Sequence, residues 1–290
     1  MTTVKTQNTL KPKRILWLGD LHMDRASARE QKALISHIDR SKADRILISG
    51  DITTAPNHSK HLRMLSKAAG ERHIYFVSGN HDYYGSSINV VDARIDEICL
   101  RHKNLKRLTG QELIEVGANT CLIGHRGWAD LRAGYGMRTV VDTPDRHAIK
   151  DFDGLSQGEA NQMMKELGKE SAKVFRQILP LALTEFRNVL VLTHVPVFRT
   201  AARYNHKLCG PTHQPHYTNV SAGLAIMGIA RAYPRKRIMV LSGHTHTACH
   251  DQVLKNLSCH VGHARTGKPG VFGCLHVTAH GRIFFDDRGY

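Results

Sequence analysis

The chain has 290 residues, and 41 Lys and Arg against 25 Asp and Glu leave a formal charge of +16 with its 20 histidines counted as neutral. Hydrophobic residues at 41% and charged residues at 23% sit near globular averages, which excludes disorder, collagen and coiled coil as descriptions of the whole. No apolar run approaches the roughly 20 residues that a membrane span requires, so no membrane partner is expected.

Residues 1–12 read as a disordered basic tail, and 13–290 as a single domain. The first elements alternate: strand 15–18, helix 26–38, strand 45–49, helix 59–69, strand 73–78, helix 88–101. Short aliphatic runs bounded by turn residues, separated by stretches of helical periodicity, are the signature of an α/β protein. Gly117-Ala118-Asn119 then separates runs 113–116 and 120–124, a hairpin-like turn at which antiparallel strands are expected to begin. Residues 127–158 have weak periodicity and read as an irregular surface segment. Helix 159–178, strand 188–193, loop 199–219 and helix 220–232 come next, and strands 237–241, 257–261, 272–278 and 282–285 close the chain. The six cysteines are widely spaced, with no C-x-x-C pair and no apolar secretory segment before residue 15. They read as reduced thiols, and the expected compartment is the cytoplasm.

The chemistry lies at the carboxyl ends of the strands. Run 15–19 is followed by Asp20 and His22, run 46–50 by Asp51, and run 75–79 by Asn80, His81 and Asp82. Run 189–193 is followed by His194, and run 238–243 by His244 and His246. Five strand ends thus each deliver a potential metal ligand, at the edge where open α/β sheets bind ligands. Carboxylate and imidazole suit divalent first-row metals, and one metal would not need so many donors. A carboxylate shared between two cations would allow the pairing used in two-metal hydrolysis. Two Asp against two divalent cations leave roughly +2 of formal charge for a phosphate anion. For any one residue the plainer reading is a helix cap or a surface histidine; five coincident strand ends argue against it.

Asp20-Leu21-His22, Gly50-Asp51, Gly79-Asn80-His81-Asp82, His194 and Gly243-His244-Thr245-His246 resemble, in order and spacing, the five motifs of the calcineurin-like metallophosphoesterases. The resemblance implies a four-layer αββα sandwich of two mixed β-sheets flanked by helices. It also implies hydrolysis of a phosphate mono- or diester by a hydroxide held on two metals. It would place Asp20, His22 and His246 on one metal, Asn80, His194 and His244 on the other, and Asp51 between them. His81 would be the proton donor to the leaving oxygen, and Asp82 would orient His81 or a ligand, or else cap the turn. The metals could be Mn, Fe, Zn, Co or Ni, with manganese favoured.

Thr54 stands where purple acid phosphatases carry a tyrosine ligand, and the second and third motifs differ from those of Ser/Thr protein phosphatases. What remains is the broad group of phosphodiesterases and phosphomonoesterases acting on nucleotides, nucleic acids, lipid head groups or other small esters, and the substrate expected is a phosphoester, with nucleotides among the candidates. Arg126, Arg132, Arg199 and Arg203 are the candidate substrate-binding residues, drawn from two irregular stretches that also hold Trp128, Tyr135, Tyr204, His213 and His216. Tyr83 and Tyr84 are candidates for the mouth of the site. The basic charge leaves a nuclease of the same superfamily as the alternative, with nucleic acid as partner. A non-catalytic metal-binding scaffold ranks below it, because no expected ligand is missing.

Overall fold

The computed structural model describes residues 11–286 together with the backbone of residues 3–4. The rest of the expected tail lies outside the described residues, and Thr3–Val4 pair in parallel with Leu113 and Ile114. Two large sheets face each other. The first runs, edge to edge, Ile283–Phe285, Gly270–Val277, Lys13–Gly19, Arg45–Ile48, His73–Phe76 and Leu105–Arg107. The second runs Thr3–Val4, Leu113–Gly117, Thr120–Gly124, Asn188–Leu192, Arg237–Ser242, Leu257–Val261 and Cys249–Leu254. Both are mixed, and helices cover their outer faces, so the expected αββα sandwich is the fold.

Three apolar layers hold this arrangement, and the two-residue period of the strands sorts side chains between them. Ile15, Trp17, Leu47 and Tyr75 point between the sheets, where they meet Ile114, Leu122, Leu190, Leu192 and Leu241. Their neighbours Leu16, Leu18, Ile46, Ile48, Ile74 and Phe76 point outward to pack under helices Ala28–Arg40, His58–Ala69 and Ile88–Arg101. Cys121, Ile123, Val189, Val191 and Val240 do the same under helices Gln157–Glu185 and Val220–Ala232. Burial on both faces explains why these strands read as continuous apolar runs.

Several expectations are corrected. Strands 120–124, 188–192, 237–242 and 257–261 are parallel, so the antiparallel pairing that begins at the hairpin gives way to a parallel centre and resumes with Cys249–Leu254, Gly270–Val277 and Ile283–Phe285. The long helix continues past Pro180 to Glu185, because Ala182 and Leu183 gain burial against the second sheet. Strand Cys249–Leu254 is an addition to the expected elements; an edge strand with alternating burial, it carries a weak apolar signal. Segment 127–158 is less of a surface than its periodicity suggests, with Trp128, Leu131, Ile149 and Phe152 all in the core. All six cysteines are unpaired.

The parallel register is what places the site. Leu18 pairs with Ile48 and Ile48 with Phe76, while Leu192 pairs with Leu241, so the motif-bearing strands end level within each sheet, and His194 Nδ1, 2.8 Å from Ser49 O, brings the two sets of ends together. The interlayer should be the stability reservoir. Leu190→Ala, which empties a fully buried position between the sheets, should cost about 2–5 kcal/mol in urea unfolding.

Candidate metal centre

Five of the seven expected ligands leave their strands through abrupt turns. Asp20, His22, Asp51, His244 and His246 all have positive φ, from 38° to 71°. Non-glycine residues rarely adopt this region, and each such position costs on the order of 1–3 kcal/mol. The turns are braced by backbone hydrogen bonds from Asp20 N to Gly50 O (3.0 Å) and from His22 N to Asp51 O (3.0 Å). Glycine is required beside them: a Cβ on Gly79 would lie 2.2 Å from Asp51 Oδ1, and one on Gly243 would lie 2.5 Å from Asp20 Oδ2.

The side chains converge in two groups. In the first, His194 Nδ1 donates to Ser49 O at 2.8 Å and His244 Nε2 donates to His216 O at 3.0 Å. A backbone carbonyl can only accept, so the proton of each neutral imidazole is committed outward. Burial keeps both rings neutral, lowering His194 to about 3 and His244 well below the usual histidine range. Their other nitrogens, His194 Nε2 and His244 Nδ1, are therefore lone pairs, and they face each other at 3.2 Å. His194 Nε2 is also 3.0 Å from Asn80 Oδ1 and 3.4 Å from Asp51 Oδ1. Four acceptors thus point at one place, with the imidazole protons of His194 and His244 turned away from it.

The second group joins Asp20, His22 and His246. His22 Nε2 and His246 Nε2 are 3.1 Å apart, His246 Nε2 is 3.7 Å from Asp20 Oδ1, and His22 Nε2 is 3.7 Å from Asp51 Oδ2. Asp51 thus offers one oxygen to each group. Its carboxyl is pushed well above the usual range by burial and by Asp20, and Asp20 is raised to about 7, chiefly by burial. Acceptors crowded together and carboxylates that resist ionisation are what a pair of cations would relieve, so the donor set fits two divalent metals.

His81 lines the site without joining either group. Its ring packs against His22 and Tyr84, with centroids 4.7 and 4.2 Å away, and its backbone N–H donates to Asp51 Oδ1 at 2.9 Å. Arg25 Nη2 approaches His81 Nδ1 at 3.5 Å. A guanidinium only donates, so Nδ1 accepts and Nε2, 3.9 Å from Asp51 Oδ2, carries the proton. Burial, His22 and Arg25 push His81 down to about 2, which keeps the ring neutral.

Asp82 makes no contact of this kind. Its carboxylate accepts from Gly79 N (2.8 Å), Ile52 N (3.1 Å), Thr53 N (3.1 Å) and His58 Nε2 (3.2 Å). It caps its own turn and ties the third motif to the second.

A cavity of about 310 Å³ opens above Asp51, Asn80, His81, His244 and His246, walled by Tyr84, Asp145, Tyr204, His213, His216 and Tyr217. None of the four candidate arginines lines it. Arg126 is held by Asp92 (2.9 Å) and Glu170 (2.8 Å), and Arg132 donates to Ser221 Oγ (3.1 Å). Arg199 is exposed on a short helical turn, and Arg203 sits on a two-residue strand whose next residue, Tyr204, reaches the cavity. Tyr84 lines the wall, whereas Tyr83 is fully buried and donates to Asp92 Oδ1 at 3.0 Å.

The match to the calcineurin-like phosphoesterase family covers residues 13–248. The chain belongs to that family. Solved structures similar to this calcineurin-like phosphoesterase include a dimetal phosphatase from Danio rerio, at TM-score 0.59 and 11% identity, covering 92% of this chain and 93% of that one. Another is TT1561 of Thermus thermophilus, at TM-score 0.52 and 11% identity, covering 94% and 98%. A putative 5'-nucleotidase from Staphylococcus aureus aligns at TM-score 0.51 and 11% identity, covering 95% of this chain and 53% of that one. No curated protein matches the chain in sequence.

Sequence reading missed Arg25, Asp145 and Tyr217. Asp145 Oδ1 accepts from Asn80 Nδ2 at 2.7 Å and from Tyr84 OH at 2.6 Å, which turns Asn80 Oδ1 toward His194. It lies in the segment of weak periodicity, where only the Thr143-Pro144-Asp145 turn pattern marks it.

Asp145→Ala should release Asn80 and weaken binding of one of two cations about 10–100-fold, read by titration calorimetry with manganese. The pH dependence has a definite sign. Below pH 7 Asp20 holds a proton that a cation must displace, and above it does not. The rise in melting temperature on adding manganese should therefore be larger at pH 8 than at pH 6, as calorimetric scans at the two values would show.

Proposed function

We propose that the protein hydrolyses a phosphate mono- or diester using two divalent cations at this centre, with manganese the first to test. The observation that carries the reading is the convergence of imidazole nitrogens and an amide oxygen around the two oxygens of Asp51. Asp20, His22 and His246 would hold one cation, and Asn80, His194 and His244 the other, with Asp51 shared. When bound, such a pair polarises phosphoryl oxygens and lowers the pKa of water enough to supply a nucleophile near neutral pH.

The protein's own residues do the rest. Asp20 and Asp51 balance only part of the charge of two divalent cations, so the centre attracts a phosphate anion. His81 presents its Nε2–H beside Asp51, where it can hydrogen-bond to the leaving oxygen and stabilise the charge that develops as the P–O bond breaks, the proton that finally neutralises that oxygen coming from water. Because the ring is neutral and its Nδ1 accepts from Arg25, it acts as a fixed hydrogen-bond donor and needs no imidazolium. Tyr84 and Asp145 hold the Asn80 amide, and Asp82 holds the loops that carry Asp51 and Asn80. Unpaired cysteines fit a reducing compartment such as the cytoplasm.

The test is hydrolysis of para-nitrophenyl mono- and diesters by chelated protein resupplied with manganese. Asp51→Asn should abolish turnover and drop the bound metal below two per chain. His81→Ala should keep its metal, and should slow esters with poor leaving groups about 10²–10⁴-fold while sparing good ones. Equal losses for both would remove His81 from the donor role. A wild-type protein that binds no metal and turns over neither ester class would end the hydrolase reading.

A further inference from the structure

We propose that the cavity over the metal centre selects compact phosphoesters bearing one planar aromatic group of nucleobase type, and that it rejects polyanions. The proposal rests on the hydrolytic reading above and adds a substrate class to it.

Three features carry it. The first is charge. The chain holds 41 Lys and Arg, yet among the described residues none of the side chains lining this cavity is one of them. A second or third phosphate beyond the reacting one would face rings and amide or carboxyl groups, with no guanidinium or ammonium on the wall to pair with it. Arg25 reaches His81 without lining the cavity, and Arg126 is already paired with Asp92 and Glu170.

The second feature is the wall itself. Tyr217 packs against His244, with ring centroids 5.3 Å apart, and Tyr84 packs against His81 at 4.2 Å, so a ring borders the centre on each side. Tyr204 completes the wall, and it is 57% exposed, which for a large aromatic at a cavity rim leaves a face free for a guest. His213 and His216 add further flat surface. Base-aromatic stacking is sequence-tolerant and strong enough to matter, commonly on the order of tenfold or more per base.

The third is size. About 310 Å³ is at the small end of ligand pockets, room for a phosphoryl group and one ring system and too little for an extended strand.

The experiment compares esters that share a scissile bond and differ in the ring. Thymidine 5'-phosphate is set against ribose 5-phosphate, and the para-nitrophenyl ester of thymidine 5'-phosphate against para-nitrophenyl methyl phosphate, all with manganese-loaded protein. The base-bearing member of the pair that is hydrolysed should be favoured at least tenfold in kcat/KM. Tyr204→Ala should erode that preference about tenfold through KM, and Tyr204→Phe should keep it. Thymidine triphosphate and a ten-nucleotide DNA should be poorer than the monophosphate. Equal kcat/KM within the pair, a preference untouched by Tyr204→Ala, or faster turnover of the triphosphate or DNA would overturn the proposal. Calorimetric binding of thymidine 5'-phosphate and ribose 5-phosphate reads the same contrast independently of turnover. Selective binding without hydrolysis would therefore sink the hydrolase reading and leave the cavity assignment standing, and equal binding would sink the assignment.

Discussion

Four hydrogen-bond acceptors packed together, with only one backbone N–H offered to them, are an unfavourable thing to build into a protein interior. His194 Nε2, His244 Nδ1, Asn80 Oδ1 and Asp51 Oδ1 lie within about hydrogen-bond distance in a chain of contacts at 3.0 to 3.4 Å. Left to relax, the two imidazoles and the amide would turn to find donors, whereas Asp51 Oδ1 already accepts from His81 N at 2.9 Å. They are prevented because each outer atom is already engaged: Ser49 O and His216 O take the imidazole protons, and Asp145 takes the Asn80 amide. The second group is held by turns, with the backbone of Asp20, His22 and His246 in the left-handed region. The fold therefore carries both electrostatic repulsion and backbone strain at one edge, before any cation is present to offset them.

What sustains that cost is the layering beneath it. Strands buried on both faces are rigid, and their parallel register fixes where each chain emerges to within a residue. Ligands placed directly after such strands inherit the rigidity, whereas ligands on long loops would not. Asp82 extends the same logic, because three backbone N–H groups and His58 converge on one carboxylate and lock two motif turns together. Stability made between the sheets is spent at their edge, and a single apolar truncation there should be felt without touching any ligand.

Much of this is legible in the chain itself. Apolar runs ending in Gly-Asp or Gly-Asn-His-Asp carry both the strand and the ligand in one local pattern, so the alternating elements and the converging residues can be read together. The long-range part is not. Asp145 acts on Asn80 across 65 residues from a segment without periodicity, and nothing local distinguishes it from other aspartates. Arginines in irregular stretches invite a phosphate-binding reading, but Arg126 is held by Asp92 and Glu170, which approach from other elements. The parallel centre of the second sheet is equally hidden, since a strand buried on both faces looks the same in either direction.

The charge of the protein takes on a different sense in this light. A formal +16 suggests a surface that gathers phosphate polymers, but the imidazoles of His194 and His244 are neutral and none of the described lysines and arginines lines the cavity. Positive potential at the point of reaction would come from the cations themselves, concentrated where Asp20 and Asp51 only partly balance them. A diffuse basic surface can raise encounter rates for any anion, yet it cannot tell one phosphoester from another. Discrimination then falls to shape and ring contacts within a few ångströms of the centre. That division of labour, long-range attraction by the surface and short-range choice by a wall without lysine or arginine, stems from where the arginines are held and from which residue of the 203–204 strand turns inward.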